Sequence, residues 1–171
     1  MSSFDNCISF LLNNEGGILN DPQTGEDSNF GVTKGLLKQV NWYPKDPKQL
    51  NQDGAKNIYY IFFWQKYTLN SITSEVIAAK ILDMIVNMGP RQAGLLLQRA
   101  LNFTPDRTDG IIGYWTIADL NQWSEATVMP KLIEQCLDFY TKLAASDAKY
   151  EKYLAGWLTR AKKVPVISSA S

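Results

Sequence analysis

The chain has 171 residues, 45% of them hydrophobic, enough to bury a full core as one domain. Lysine plus arginine balance aspartate plus glutamate at 17 each, so charge gives no case for a nucleic-acid partner. Histidine is absent and there are only two cysteines, which excludes Ser-His-Asp and Cys-His catalysis and argues against a zinc site. The available chemistry is that of carboxylates, hydroxyls, amides and lysine. No stretch has the length and apolarity of a membrane span, and the first residues lack the pattern of a secretory signal. The expectation is a protein made in the cytoplasm and not exported by that route. Cys7 and Cys136 fall on apolar helical faces and read as buried free thiols.

Phe4, Cys7, Ile8, Leu11 and Leu12 are spaced as one face of a helix running into Glu15. Ser2 with Asp5 reads as its capping box, and Gly16-Gly17 as its stop. Glu15 is thus expected on the last turn, where the helix dipole disfavours a second negative charge and tends to keep a carboxyl protonated. A polar, turn-rich run from Asn20 to Asn29 follows, with Asp21, Glu26 and Asp27 as further carboxylates and Thr24 and Ser28 as hydroxyls. A protonated carboxyl beside an ionised or polar partner is the apparatus of glycosidic-bond cleavage.

Thr33 is expected to cap a short helix with Leu36, Leu37 and Val40, and Asp46-Pro47 to open another after a loop. Ala55, Ile58, Tyr59, Phe62 and Phe63 form a stripe ending near Tyr67. Ser74 begins a helix through Val76, Ile77, Ile81, Ile85 and Met88, apolar enough to be the buried centre. Pro90 starts the next, through Leu101. A loop from Asn102 to Gly113 precedes helices at about Trp115–Trp123, Val128–Ala145 and Asp147–Lys163. The prediction is a mainly α domain with one small β-hairpin between Ile18 and Thr33. Residues 1–75 hold the catalytic helix, hairpin and aromatic segment, 76–165 a helical half, and 166–171 a tail.

Glu15-Gly16-Gly17, Asn20-Asp21-Pro22 and Ser28-Asn29-Phe30-Gly31-Val32-Thr33 together resemble the signature of glycoside hydrolase family 108, the N-acetylmuramidase endolysins of bacteriophages and prophages. Tyr60 to Tyr67 with Trp64 resembles that family's aromatic segment. Ile81-Leu82-Asp83, Asn87-Met88-Gly89-Pro90, Leu97-Gln98-Arg99-Ala100-Leu101, Asp109-Gly110-Ile111-Ile112-Gly113 and Gly156-Trp157-Leu158-Thr159-Arg160 resemble its C-terminal half, a predicted peptidoglycan-binding domain. The resemblance implies a lysozyme-like α+β fold and a muramidase that cuts the β-1,4 bond after N-acetylmuramic acid, with Glu15 as catalytic acid. It also implies a periplasmic site of action, reached through a holin-type hole. The turn departs from the family pattern: it is one residue short, and Thr24 stands where Asp is common. Asp27, Asp21 and Glu26 compete for the second role, with Ser28 and Thr24 as hydroxyls that orient water. A lytic transglycosylase and a non-catalytic peptidoglycan-binding protein are the alternatives.

Thr24, Asn29, Phe30, Trp64, Tyr67, Asn87 and Gln98 are candidate substrate contacts, with a structural alternative as core aromatics for Trp64 and Tyr67 and as satisfied amides for Asn87 and Gln98. Asp83 reads as structural, bonding across to a loop. Lys149, Lys152, Arg160, Lys162 and Lys163 give the last helix a basic face, a candidate contact for an anionic outer-membrane or envelope surface. A monomer with peptidoglycan as partner and with no metal or cofactor is expected.

Overall fold

The computed structural model describes residues 1–15, 19–20, 27–40 and 44–167, and for residues 19, 20 and 27 the backbone alone. The apolar stripe read between Phe4 and Leu12 forms α1 (Phe4–Asn14), with Cys7, Ile8 and Leu11 fully buried. Its start differs from the expected capping box. Ser3 is the N-cap without a side-chain bond, while Ser2 donates its hydroxyl to the Leu69 carbonyl at 2.8 Å and ties the terminus to a distant loop.

A small antiparallel sheet follows, ordered β1 (Leu19–Asn20), β2 (Asp27–Asn29), β3 (Val32–Thr33). Leu19 faces Ser28 on one side and Thr33 faces Ser28 on the other. Phe30 and Gly31 join β2 to β3, both at positive φ, 52° and 73°, as a two-residue hairpin turn of the primed kind requires. Thr33 then caps α2 (Lys34–Leu37) by accepting from the Leu36 amide, as its sequence position predicts. Val32, Leu37 and Val40, all fully buried, pin this segment to the core.

Asp46 caps a 3-10 turn at Pro47–Gln49, ahead of α3 (Gln52–Tyr59). The stripe expected to run unbroken to Tyr67 changes pitch, and Tyr60–Gln65 form a π-helical segment. Ser74 caps α4 (Glu75–Met88), in which every residue from Ile77 to Ile85 is buried. It packs against α1, α5 (Pro90–Ala100) and α7 (Glu125–Ser146), which makes it the buried centre. Gly89, at φ 85°, separates α4 from α5. The chain continues through α6 (Tyr114–Leu120) and α7 to α8 (Glu151–Lys162), which packs along α7. One cluster of buried side chains runs from Cys7 to Ala161. The architecture is mainly helical with one small early β-element, the lysozyme-like class that the sequence predicts.

Two features lock the C-terminal half. Gly94 meets the Gly110 backbone so closely that a Cβ would lie 2.1 Å from the Gly110 oxygen. The buried Gln98 amide donates to Asp109 Oδ1 at 2.7 Å and accepts from the Gly110 N–H at 2.8 Å, holding the loop between α5 and α6. Cys7 and Cys136 are buried free thiols, and burial pushes them up to about 12 and about 11 respectively.

Gly94→Ala sets a methyl group against backbone that no rotamer change can clear. It is expected to cost at least about 1–3 kcal/mol of stability, read as a lower urea midpoint at an unchanged m-value.

Candidate functional site

Glu15 is the first residue beyond α1. Its backbone is extended (φ −87°, ψ 125°), while its N–H still closes the helix onto the Leu11 carbonyl at 3.0 Å. The expected place on the last helical turn is therefore corrected by one residue. The side chain leaves the helix direction and turns inward, only 15% exposed.

Two elements enclose it. On one side, an ideal Cβ at Gly31 would sit 2.3 Å from Glu15 Oε2 and 2.7 Å from the Tyr59 hydroxyl, so the hairpin turn lies directly against the carboxyl. Tyr59 Oη donates to the Phe30 carbonyl at 2.7 Å and fixes that turn. Burial, reinforced by the negative charge of Glu15, drives the Tyr59 phenol far above its ordinary range, so it remains a donor. On the other side, Arg160 Nη2 donates to Glu15 Oε1 at 2.6 Å. That contact joins residues 145 apart in sequence.

Arg160 is shared. Its Nε reaches Asp83 Oδ1 and Oδ2 at 3.2 and 3.3 Å, and its Nη2 reaches Asp83 Oδ1 at 2.9 Å. Burial opposes the guanidinium charge, but Asp83 and Glu15 outweigh it and hold Arg160 protonated beyond its usual range. The backbone of the same residue is fixed from α4 as well. Lys80, 1% exposed, places its ammonium 3.4, 2.8 and 2.8 Å from the carbonyls of Arg160, Ala161 and Lys163. A cation at the C-terminal end of a helix satisfies carbonyls that the helix leaves open. Asn14 completes the network, donating to Asp83 at 3.0 Å and accepting from Lys163 Nζ at 2.7 Å.

The 2.6 Å contact to the guanidinium fixes the Glu15 side chain in this position. Asp83 is structural as expected, although its partners are Arg160 and Asn14. Arg160, read from sequence as part of a basic outer face, points into the molecule. The available signal was Asp83 itself: a carboxylate amid nine consecutive buried residues requires a cation.

A groove of about 540 Å³ opens beside this ion triad, lined by Asn14, Asn87, Trp157, Thr159, Arg160 and Lys163 among others. Asn87, a sequence candidate, is brought here, its Oδ1 accepting from the Tyr140 hydroxyl. Trp157 stacks on Tyr140 at 5.2 Å and presents a partly buried indole. Trp157 enters the sequence reading as part of the Gly156–Arg160 motif, and Asn14 is not singled out there.

The other candidates divide. Ser28 lies in β2, three residues before Gly31, and the backbone of Asp27 precedes it. Asp21 and Thr24 fall outside the described residues. Asn29 is 5% exposed and donates to the carbonyls of Pro47 and Leu50, a brace for the loop below the hairpin. Phe30 contributes its carbonyl to Tyr59 and is partly buried. Trp64, 2% exposed and edge-on to Phe4, is a core aromatic with no face open to a sugar. Tyr67 is partly buried against the core, and Gln98 is committed to the α5–α6 loop. Among the described residues, no group of three or more acidic or cysteine side chains could hold a metal ion, and no helix is long and apolar enough to cross a membrane.

Comparison with known proteins bears on this geometry in two ways. The solved structure of Brucella abortus SagA shares the fold with a TM-score of 0.66 at 20% identity, covering 94% of this chain and 96% of that one. The chain has no significant match among curated proteins. The model of Glycosyl hydrolase 108 matches residues 8–89, which include Glu15, the hairpin and Asp83. The model named Predicted Peptidoglycan domain matches residues 92–162, which include Trp157 and Arg160. The ion triad thus draws on both matched regions, and peptidoglycan is the partner and the cell wall the place of action that they indicate. Residues 8–89 thus carry the match to glycosyl hydrolase 108 and residues 92–162 the match to a predicted peptidoglycan domain, and together they support glycoside hydrolase activity on peptidoglycan.

Proposed function

We propose that the protein is a muramidase that hydrolyses the β-1,4 bond between N-acetylmuramic acid and N-acetylglucosamine, with Glu15 as general acid. The observation that carries this reading is the placement of Glu15. Its carboxyl is sheltered between the hairpin turn and Arg160, and its partner Arg160 and neighbour Asn14 both line the groove.

Asp83 holds Arg160 by three contacts against the single one from Glu15, so the cation stays paired when Glu15 gives up its contact to a substrate. A glycosidic oxygen entering from the groove can replace that single contact and receive the proton. Asp27, Ser28 or Asp21, all in the sequence leading to Gly31, then steadies the oxocarbenium-like state or orients the attacking water. Asn87, Trp157 and Thr159 offer the amide, aromatic and hydroxyl surfaces that a sugar chain needs. Release into the periplasm as an endolysin belongs to the same proposal.

Mass spectrometry of muropeptides released from purified sacculi tests the reaction. The wild type is expected to yield reducing N-acetylmuramic acid ends, and Glu15→Gln none. Anhydro ends would instead assign a lytic transglycosylase, and unchanged release by Glu15→Gln would remove Glu15 from the chemistry.

Asp83→Asn tests the triad. Without the Asp83 charge Arg160 keeps Glu15 as its one anionic partner and is no longer held in register from α4. The value of kcat/KM is expected to fall by about tenfold or more, while an unchanged value refutes this role for Asp83.

Gly31→Ala should abolish activity, because its Cβ needs the space of Glu15 Oε2. Gly89→Ala has similar positive-φ strain but no atom within 4 Å of the new methyl group, so it should remain active. Equal losses in the two variants would trace the effect to backbone strain alone.

A further inference from the structure

At the start of α6 the molecule exposes apolar side chains that the groove beside Glu15 does not use. Tyr114 is 75% exposed, Trp115 76% and Ile111 64%, and the two rings meet edge to face at 5.1 Å. Large aromatic groups left this open mark a binding surface more often than a packing fault. The base beneath them is rigid, because the Gln98 network and the Gly94–Gly110 approach fix the preceding loop.

The pair forms a ridge between two hollows. Tyr114 faces one of about 410 Å³, with Ile117, Thr68 and Asn121. Trp115 faces another of about 370 Å³, with Arg107, Asp109 and Thr116. The Arg107 guanidinium lies 4.5 Å over the Phe103 ring, which holds the cation at the rim of the second hollow.

This surface lies at the opposite end of α4 from the ion triad. Asn121 bonds to Thr73 and Ser71, just before α4 begins, whereas Glu15 is tied through Arg160 to Asp83. From Glu75 to Asp83 the helix rises by roughly 12 Å.

We propose that the Tyr114–Trp115 ridge is an accessory binding site for a glycan strand of peptidoglycan, separate from the groove beside Glu15. The inference rests on the peptidoglycan reading above and adds a second point of contact to it. Aromatic faces suit the apolar faces of amino sugars, while Asp109 and Asn121 offer partners to hydroxyls and acetamides. Arg107 complements the carboxylates of the stem peptides. The ridge also falls within the region matched by the Predicted Peptidoglycan domain model. Two contacts on one polymer raise its effective affinity without altering the chemistry at either.

The test uses Tyr114→Ala/Trp115→Ala, made in the wild type and in Glu15→Gln. Both side chains are exposed, so the fold should survive, and thermal melting checks this. Co-sedimentation of the Glu15→Gln proteins with purified sacculi should show about a tenfold loss of affinity on removing the ridge, as two interface aromatics imply. The ridge variant of the wild type should still cut short soluble glycan fragments at the normal rate, yet act more slowly on intact sacculi. Unchanged sedimentation would overturn the proposal, as would an equal loss on soluble fragments. A concentration-dependent dimer abolished by the variant would overturn it too, assigning the ridge to a second copy of the chain. If the wild type releases no muropeptide and neither parent binds sacculi, the peptidoglycan reading fails, and this inference with it.

Discussion

A single guanidinium between two carboxylates organises the molecule. Arg160 reaches Glu15 and Asp83 at once, 16% exposed itself and flanked by groups 15% and 4% exposed. An ionic cluster so covered persists only if its members are held in register, because one charge left alone in such surroundings is costly. The rest of the structure supplies that register. α1 delivers Glu15 as its helix ends, α4 presents Asp83 from its buried face, and α8 brings Arg160 back over both. Lys80 adds a second constraint by gathering the last carbonyls of α8, so the cation is positioned through both its side chain and its backbone.

The hairpin has a related part. Its chain reverses through Phe30, a bulky residue at positive φ and an uncommon choice for that conformation. The Tyr59 hydroxyl bonds the Phe30 carbonyl and holds the turn, which then rests against Glu15 through the one residue type that leaves room. The site is formed by a strained turn and a buried ion pair, each bracing a different side of the same carboxyl.

Much of the architecture follows from local pattern. The caps at Thr33, Asp46 and Ser74, the run of buried residues in α4 and the Gly89–Pro90 break are visible because they depend on neighbours in sequence. The change of pitch at Tyr60 is not visible, since the same apolar spacing suits an α-helix and a π-turn. Glu15, Asn87 and the hairpin could be located from residue type and spacing, whereas Arg160 could not. Its helix reads as amphipathic with a cationic end, and only tertiary folding turns that one cation inward while Lys149 pairs with Asp147 at the surface. Trp64, Asn29 and Gln98 were misleading for the opposite reason: side chains suited to holding sugars are equally suited to filling a core or bracing a loop.

The 145-residue separation between Glu15 and Arg160 has a consequence for the order in which the centre comes into being. A polypeptide emerging from the ribosome carries its acidic residue 145 residues before the matching cation appears. Until α8 has docked, Asp83 has no guanidinium and Glu15 is clasped on one side only. The nascent chain therefore cannot assemble this ionic centre early, and its completion reports that both halves have folded onto one another.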